Sequence, residues 1–261
     1  MEKRLYFRFE IPAQPEGPLI QMSAEEMERF LLKRLEDEKA EPTDALWELA
    51  RFYGDRKQHE KAIECLRKVL VRYSDLERKA RCVLAMGGTI KQVEDFEAAV
   101  RYYKEALALE PLQNQTLYFI NNNLGFSLNK LSRFAEGETY CRKAIEIDAN
   151  RPNAYKNLGI ALAGQAQYVE AAKCFVSATQ VNAADARAFH LLQDLVKQHP
   201  ELAFEFGEIV ECCGKAVEVA GQEGRGIETS YCSGMEEEFD TAAPKAALDV
   251  FANAESSVLM R

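Results

Sequence analysis

Apolar residues recur along this chain at the i, i+3, i+4, i+7 spacing of a helix face, and they do so in pairs of short runs. The clearest pair spans residues 152–183. Tyr155, Leu158, Gly159 and Leu162 form one face, and Ala171, Phe175 and Ala178 form the next. Between them, Ala163-Gly164-Gln165 predicts a turn. Gly159 and Ala171 are small, so the two predicted helices can approach closely there.

The same double pattern recurs upstream, at residues 43–74, 80–111 and 118–149. In the first unit, Leu46, Leu49, Ala50 and Tyr53 precede Ala62, Leu66 and Val69. In the second, Val83, Met86, Gly87 and Ile90 precede Phe96, Ala99, Tyr103 and Ala106. In the third, Leu124, Gly125 and Leu128 precede Phe134, Gly137, Cys141 and Ala144. A repeat of this length is one supersecondary unit that cannot bury its apolar stripe alone. Successive starts are offset by 37, 38 and 34 residues, so residues 75–79 and 112–117 are additions that either extend a helix or loosen a turn.

The flanks read differently. In residues 1–22, Leu5, Phe7, Phe9 and Ile11 alternate with Tyr6, Arg8 and Glu10, which predicts an extended segment packed on the helices. Pro12, Pro15 and Pro18 are expected to prevent regular structure after it. Residues 23–40 predict a helix opened by a capping box, Ser23 with Glu26, and carrying the ridge Met27, Phe30, Leu31 and Leu35 with the Arg34 stem beside it. Residues 186–220 read as a degenerate fifth unit that caps the stack: Phe189, Leu192 and Val196, then, after Pro200, Phe204, Phe206, Ile209, Val210, Cys213 and Val217. Residues 221–261 are rich in Gly, Ser, Thr and acid and are expected to form a mobile acidic tail, with a short helix at 244–254.

Leu158-Gly159, Tyr168, Ala171, Phe175 and Ala178 occupy positions 7, 8, 17, 20, 24 and 27 of their unit. That set resembles the tetratricopeptide repeat. The resemblance covers residues 43–183 well and 186–220 loosely. It implies an all-α superhelical solenoid, right-handed, with the first helix of each unit lining a concave face.

Composition narrows the function. The 261 residues carry a formal net charge of −9, which opposes general nucleic-acid binding. No apolar run approaches the roughly 20 residues of a membrane span, so no membrane insertion is expected. Residues 1–18 lack the apolar core of a secretory signal, which leads to a cytoplasmic expectation. The seven cysteines are mostly scattered singly, odd in number and without a CxxC, which fits reduced thiols. Three scattered histidines make no metal cluster, and no phosphate loop, HExxH or GxSxG occurs. The expectation is therefore a non-enzyme without cofactor, metal or catalytic residues.

In the family, positions 2, 5, 6, 9, 12 and 13 of each repeat face the concave groove. Carried onto this sequence, those positions give Asp44, Trp47, Glu48 and Arg51, then Arg81, Leu84, Ala85 and Lys91, then Phe119, Asn122, Asn123, Phe126, Asn129 and Lys130. Asn153, Lys156, Asn157 and Ile160 follow, with Arg187, His190, Asp194 and Lys197 from the cap. Asn123 and Asn157 share position 6. Their amides are expected to bind the backbone of an extended peptide, as family members do, the plain alternative being solvated helix residues. Arg81, Lys130, Lys156 and Arg187 are expected to favour an acidic partner or a C-terminal carboxylate, and Phe119 and Phe126 to give apolar contact. The family's carboxylate clamp of Lys, Asn, Asn, Lys and Arg is matched only at Asn157 and Arg187. Asn122, Phe126 and Leu191 stand at the other positions.

These expectations describe a protein-interaction scaffold or adaptor. The alternatives are a dedicated secretion-type chaperone for one client, or an accessory subunit of an enzyme complex. A contact between the acidic residues 236–240 and the basic groove within the same chain is a further possibility, and the linker is long enough for it.

Overall fold

The computed structural model describes residues 5–8, 19–36 and 42–224, and the chain divides into two compact units at Ser74 and Asp75.

The first unit begins with strands β1 (Leu5–Arg8) and β2 (Leu19–Met22), paired antiparallel with Leu5 opposite Met22 and Arg8 opposite Leu19. The second strand was not expected. It begins after the last of the three prolines, where Leu-Ile-Gln-Met again has free amides for a ladder. How the hairpin's side chains pack lies outside the described residues. Helix α1 (Ala24–Glu36) has the expected capping box: Ser23 N donates to Glu26 Oε2 at 2.7 Å, and Glu26 N to Ser23 Oγ at 3.3 Å. Met27 and Leu31 are buried, with Phe30 and Leu35 half-buried beside them. Helices α2 (Pro42–Asp55) and α3 (His59–Leu70) bury all seven apolar positions read for the first repeat. Polar tethers brace the unit. Trp47 Nε1 donates to Tyr73 Oη at 2.9 Å, Tyr53 Oη donates to Glu28 Oε1 at 2.8 Å, and Arg34 pairs with Glu48. Burial, and then the Glu28 carboxylate, push the Tyr53 phenol well above its ordinary pKa.

The second unit holds α4 (Leu76–Gln92), α5 (Phe96–Ala108), α6 (Asn114–Lys130), α7 (Phe134–Ile147), α8 (Pro152–Ala163), α9 (Tyr168–Val181) and α10 (Arg187–Gln198). A 3-10 turn (Pro200–Leu202) and α11 (Ala203–Gly224) complete it. Each helix packs on its neighbours in sequence, and α6 also packs on α4 and α8. The first helices of the second, third and fourth repeats therefore stand in one row, which is the packing of a helix-pair solenoid.

The packing repeats because the sequence does. Gly87, Gly125 and Gly159, each at position 8, face Tyr103, Cys141 and Phe175, each at position 24. A Cβ on Gly159 would stand 2.5 Å from the Phe175 ring, closer than real atoms approach, so the large side chain of one helix uses space that only glycine leaves on the other. Every turn between the paired helices has a residue at position 15 with positive φ: Lys57, Glu94, Ser132 and Ala166, at 58°, 61°, 57° and 60°. At three of them the chain closes a Schellman motif. Gln58 N donates to Tyr53 O, Arg133 N to Leu128 O, and Gln167 N to Leu162 O, at 2.8, 2.9 and 2.9 Å.

The additional residues at 75–79 and 112–117 lengthen helices. The α4 and α6 helices have 17 residues each, against 12 in α8. The two extensions meet. Glu77 accepts from Leu112 N, Gln113 N and Thr116 Oγ1 at 2.8, 3.1 and 2.5 Å, and so satisfies donors at the start of α6 from the side chain of α4. Burial alone would raise the Glu77 carboxyl; these hydrogen bonds and nearby Arg81 outweigh it and hold it below the ordinary range.

At the far end, Leu192, Leu195, Leu202, Phe206, Cys213 and Ala216 join the core of the fourth repeat. Phe204, expected among the apolar residues of this cap, is instead wholly exposed. It lies two residues from Phe206, about 200° around the helix. The α11 helix continues to Gly224, past the change of composition at 221, and the acidic tail beyond it lies outside the described residues. The six described cysteines are free, and burial pushes the Cys141 and Cys213 thiols up to about 12.

Candidate functional site

The row of α4, α6 and α8 carries the residues read as the groove of the second unit, and the structure sorts them into three groups. Trp47 and its neighbours belong to the first unit.

The first group is a buried asparagine seam. Asn122 and Asn157 are 2% and 3% exposed, and Asn157 Nδ2 donates to Asn122 Oδ1 at 2.9 Å. Asn129 Nδ2 donates to the Asn157 backbone carbonyl at 2.7 Å. These three were expected to face a partner; instead they join α6 to α8. The reason is local. Helix interiors disfavour asparagine, but packing α6 beside α8 gives the Asn157 amide an acceptor in Asn122 and the Asn129 amide an acceptor in the α8 backbone, while Asn129 Oδ1 is buried without a hydrogen-bond partner. The seam also explains Gly137, which stands where the other repeats have Ala62, Ala99 and Ala171. A Cβ there would collide with Asn129 Oδ1.

The second group is internally neutralised. Asn153 is buried, and its Oδ1 accepts from Lys156 Nζ at 2.7 Å and from an Arg187 guanidinium nitrogen at 3.5 Å. Arg187 also grips Asp185 through Nε and NH2, both at 2.7 Å. Burial opposes the charge on Asp185, yet Arg187 and Lys156 together hold its carboxyl below the ordinary range. Asn153, Lys156 and Arg187 do come together as expected, but around an acid of this chain. Phe119 is likewise internal. It is 5% exposed, edge-on to Tyr118 at 5.3 Å, with the Arg151 guanidinium 4.8 Å from the centroid of each ring. Arg151 was not singled out from the sequence, where nothing marks a cation that covers two rings.

The third group faces outward. Phe126 is half-buried, held edge-on by Phe96 at 6.1 Å, and bracketed by two ammonium groups: Lys91 Nζ at 5.3 Å and Lys130 Nζ at 5.7 Å from its ring centroid. Lys91 Nζ also donates to Asn123 Oδ1 at 3.3 Å. Lys130 and Arg81 are exposed and make no ion pair with a described residue. Lys91, one of the basic residues expected to suit an acidic partner, also links the aromatic ring to Asn123. A ring flanked by two cations offers an apolar surface and two charges in one place.

No group of histidine, cysteine and carboxylate side chains able to hold a metal occurs among the described residues, and no described helix is long and apolar enough to cross a membrane.

A family model described as "Tetratricopeptide repeat" matches residues 43–71 and 120–151. Human "Tetratricopeptide repeat protein 7B" is 28% identical over 102 residues, which is 39% of this chain and 12% of that protein. "Small glutamine-rich tetratricopeptide repeat-containing protein 2" of Mycosarcoma maydis is 29% identical over 104 residues, 40% of this chain and 28% of its own length. The matched stretch is thus under a third of either relative. Among solved structures, Pseudomonas aeruginosa PilF superposes with a TM-score of 0.59 at 22% identity, covering 88% of this chain and 90% of that one. MamA of Desulfovibrio magneticus RS-1 gives 0.54 at 14%, covering 72% and 97%. These two likenesses establish the fold.

Proposed function

We propose that this chain, a tetratricopeptide repeat protein, is a non-enzymatic interaction scaffold that holds an extended acidic segment of a partner protein across α4 and α6. One observation carries the reading: Phe126 lies half-open between Lys91 and Lys130, in a protein whose net charge is −9. A cluster of cations on an acidic chain opposes the general charge, and it stands where an apolar surface is also open. An acidic partner gains Coulombic attraction there that the rest of the surface denies it.

The polar roles divide differently from the simple expectation that both position-6 asparagines bind backbone. Asn123 is the half-buried amide beside the open ring and is the backbone contact in this account. Asn122 and Asn157 set the spacing of α6 and α8. Arg81, on the helix that also bears Lys91, extends the positive charge, and Lys156 and Arg187 form the border of the site with Asp185.

The test uses the two exposed cations, whose side chains lie outside the buried core. The full chain with Lys130→Glu and Arg81→Glu should capture at least tenfold less of its partner from native extract than the natural chain does. Capture by the natural chain should fall as salt rises. Capture unchanged by both substitutions and by salt contradicts the proposal.

A further inference from the structure

The Phe126 site combines one half-buried aromatic ring with two ammonium groups that stand at most about 11 Å apart, being 5.3 and 5.7 Å from its centroid. The complementary ligand is an aromatic or large apolar side chain with carboxylates close on both sides. On an extended strand, neighbours one or two positions away lie about 3.4–7 Å along the chain. Carboxylates at those offsets reach both ammonium groups while the central side chain meets the ring.

This chain contains such a segment. Phe239 follows Glu236, Glu237 and Glu238 and precedes Asp240. The segment lies in the same acidic tail that begins where α11 ends, at Gly224. Phe239 lies fifteen positions beyond Gly224, a contour of about 50 Å, which exceeds the roughly 33 Å length of α11 itself.

We propose that residues 236–240 are the resident ligand of the Phe126 site, seated within the same chain. Phe239 packs on Phe126, and the flanking carboxylates meet Lys91 and Lys130. The inference rests on the binding face proposed above and gives it a regulator: an outside acidic partner must displace the tail. A tether of this length supplies an effective concentration on the order of 1 mM. If the free segment binds with a Kd of about 0.1 mM, the tethered one weakens outside binding about tenfold.

The probe is a fluorescein-labelled synthetic peptide of residues 233–243, titrated against the full chain and followed by anisotropy. A full-length tail variant carries Glu236→Gln, Glu237→Gln, Glu238→Gln, Phe239→Ala and Asp240→Asn. The tail variant should bind the peptide about tenfold more tightly than the natural chain, and adding Lys130→Ala should remove most of that affinity. Equal affinities for the natural and tail-variant chains, with Lys130 still required, overturn the tail assignment and leave the binding face standing. Binding that ignores Lys130→Ala, or no binding to the tail variant, overturns the assignment and the binding face alike. If light scattering instead shows the natural chain to be a dimer that the tail substitutions convert to monomer, the tail sits on a second copy, and the same-chain seat is wrong.

Discussion

Gly87 and Gly88 are adjacent residues in the interior of α4, and the structure assigns them opposite responses to the same substitution. Glycine in a helix interior costs about 1 kcal/mol relative to alanine. At Gly88 an added Cβ meets nothing within 4 Å, so Gly88→Ala should recover that amount. At Gly87 the Cβ would lie 2.5, 2.8 and 3.1 Å from three atoms of the Tyr103 ring, and Tyr103 has no exposed surface into which to retreat. Overpacking of this kind costs about 1–3 kcal/mol, which offsets the gain in propensity and in most of that range exceeds it. The two variants should therefore differ by about 1–3 kcal/mol, with Gly88→Ala the more stable. Urea denaturation followed by far-ultraviolet circular dichroism measures this. The midpoints should move apart while the slopes stay equal, and the melting temperatures should separate by roughly 2–12 °C. Equal stabilisation of both variants would refute the packing account of position 8, since it would mean that the ring moves aside without cost.

Asn157→Ala should destabilise the fold by about 1–3 kcal/mol, because Asn122 loses its buried donor. If Asn157→Ala instead leaves stability unchanged, the seam is not structural. Glu77→Gln should cost about 1 kcal/mol at neutral pH through the start of α6. Because the folded-state pKa of Glu77 is depressed, its contribution is complete above the ordinary carboxylate pKa of about 4.3 and is lost as pH falls through the folded-state value. The gap between natural chain and variant should close in acid; a gap of constant size from neutral pH to below pH 4 counts against the charged cap.

The helices of the repeats were legible because their pattern is local. Leu158, Gly159, Phe175 and Ala178 name their own faces by spacing, and a glycine opposite a large ring eight and twenty-four positions into the unit is visible in the sequence. The positive-φ turn residues were not, since Lys57, Glu94, Ser132 and Ala166 share a conformation and no side-chain chemistry. The second strand escaped because three prolines precede it. The site was legible only as a set of positions. Family geometry placed Asn122, Asn123, Phe126, Asn129 and Asn157 on one side of the row. It did not say which amides would find each other across α6 and α8 and which would stay open. That depends on interhelix distances, which no single repeat encodes. Charge was similarly ambiguous: Arg187 reads as a groove cation until Asp185, two residues earlier, is seen to hold it.

The central claim is that Phe126, Lys91 and Lys130 read acidic residues around an apolar one. The most direct measurement is a selection of random twelve-residue peptides displayed on phage against the full-length tail variant, with binding of the enriched sequences then measured to that chain and to the same chain bearing Lys130→Glu. The account predicts enrichment of Asp and Glu within two residues of an aromatic or large aliphatic residue, and at least a tenfold loss of affinity on Lys130→Glu. Enriched sequences without acidic bias, or affinity that survives the charge reversal, would contradict it.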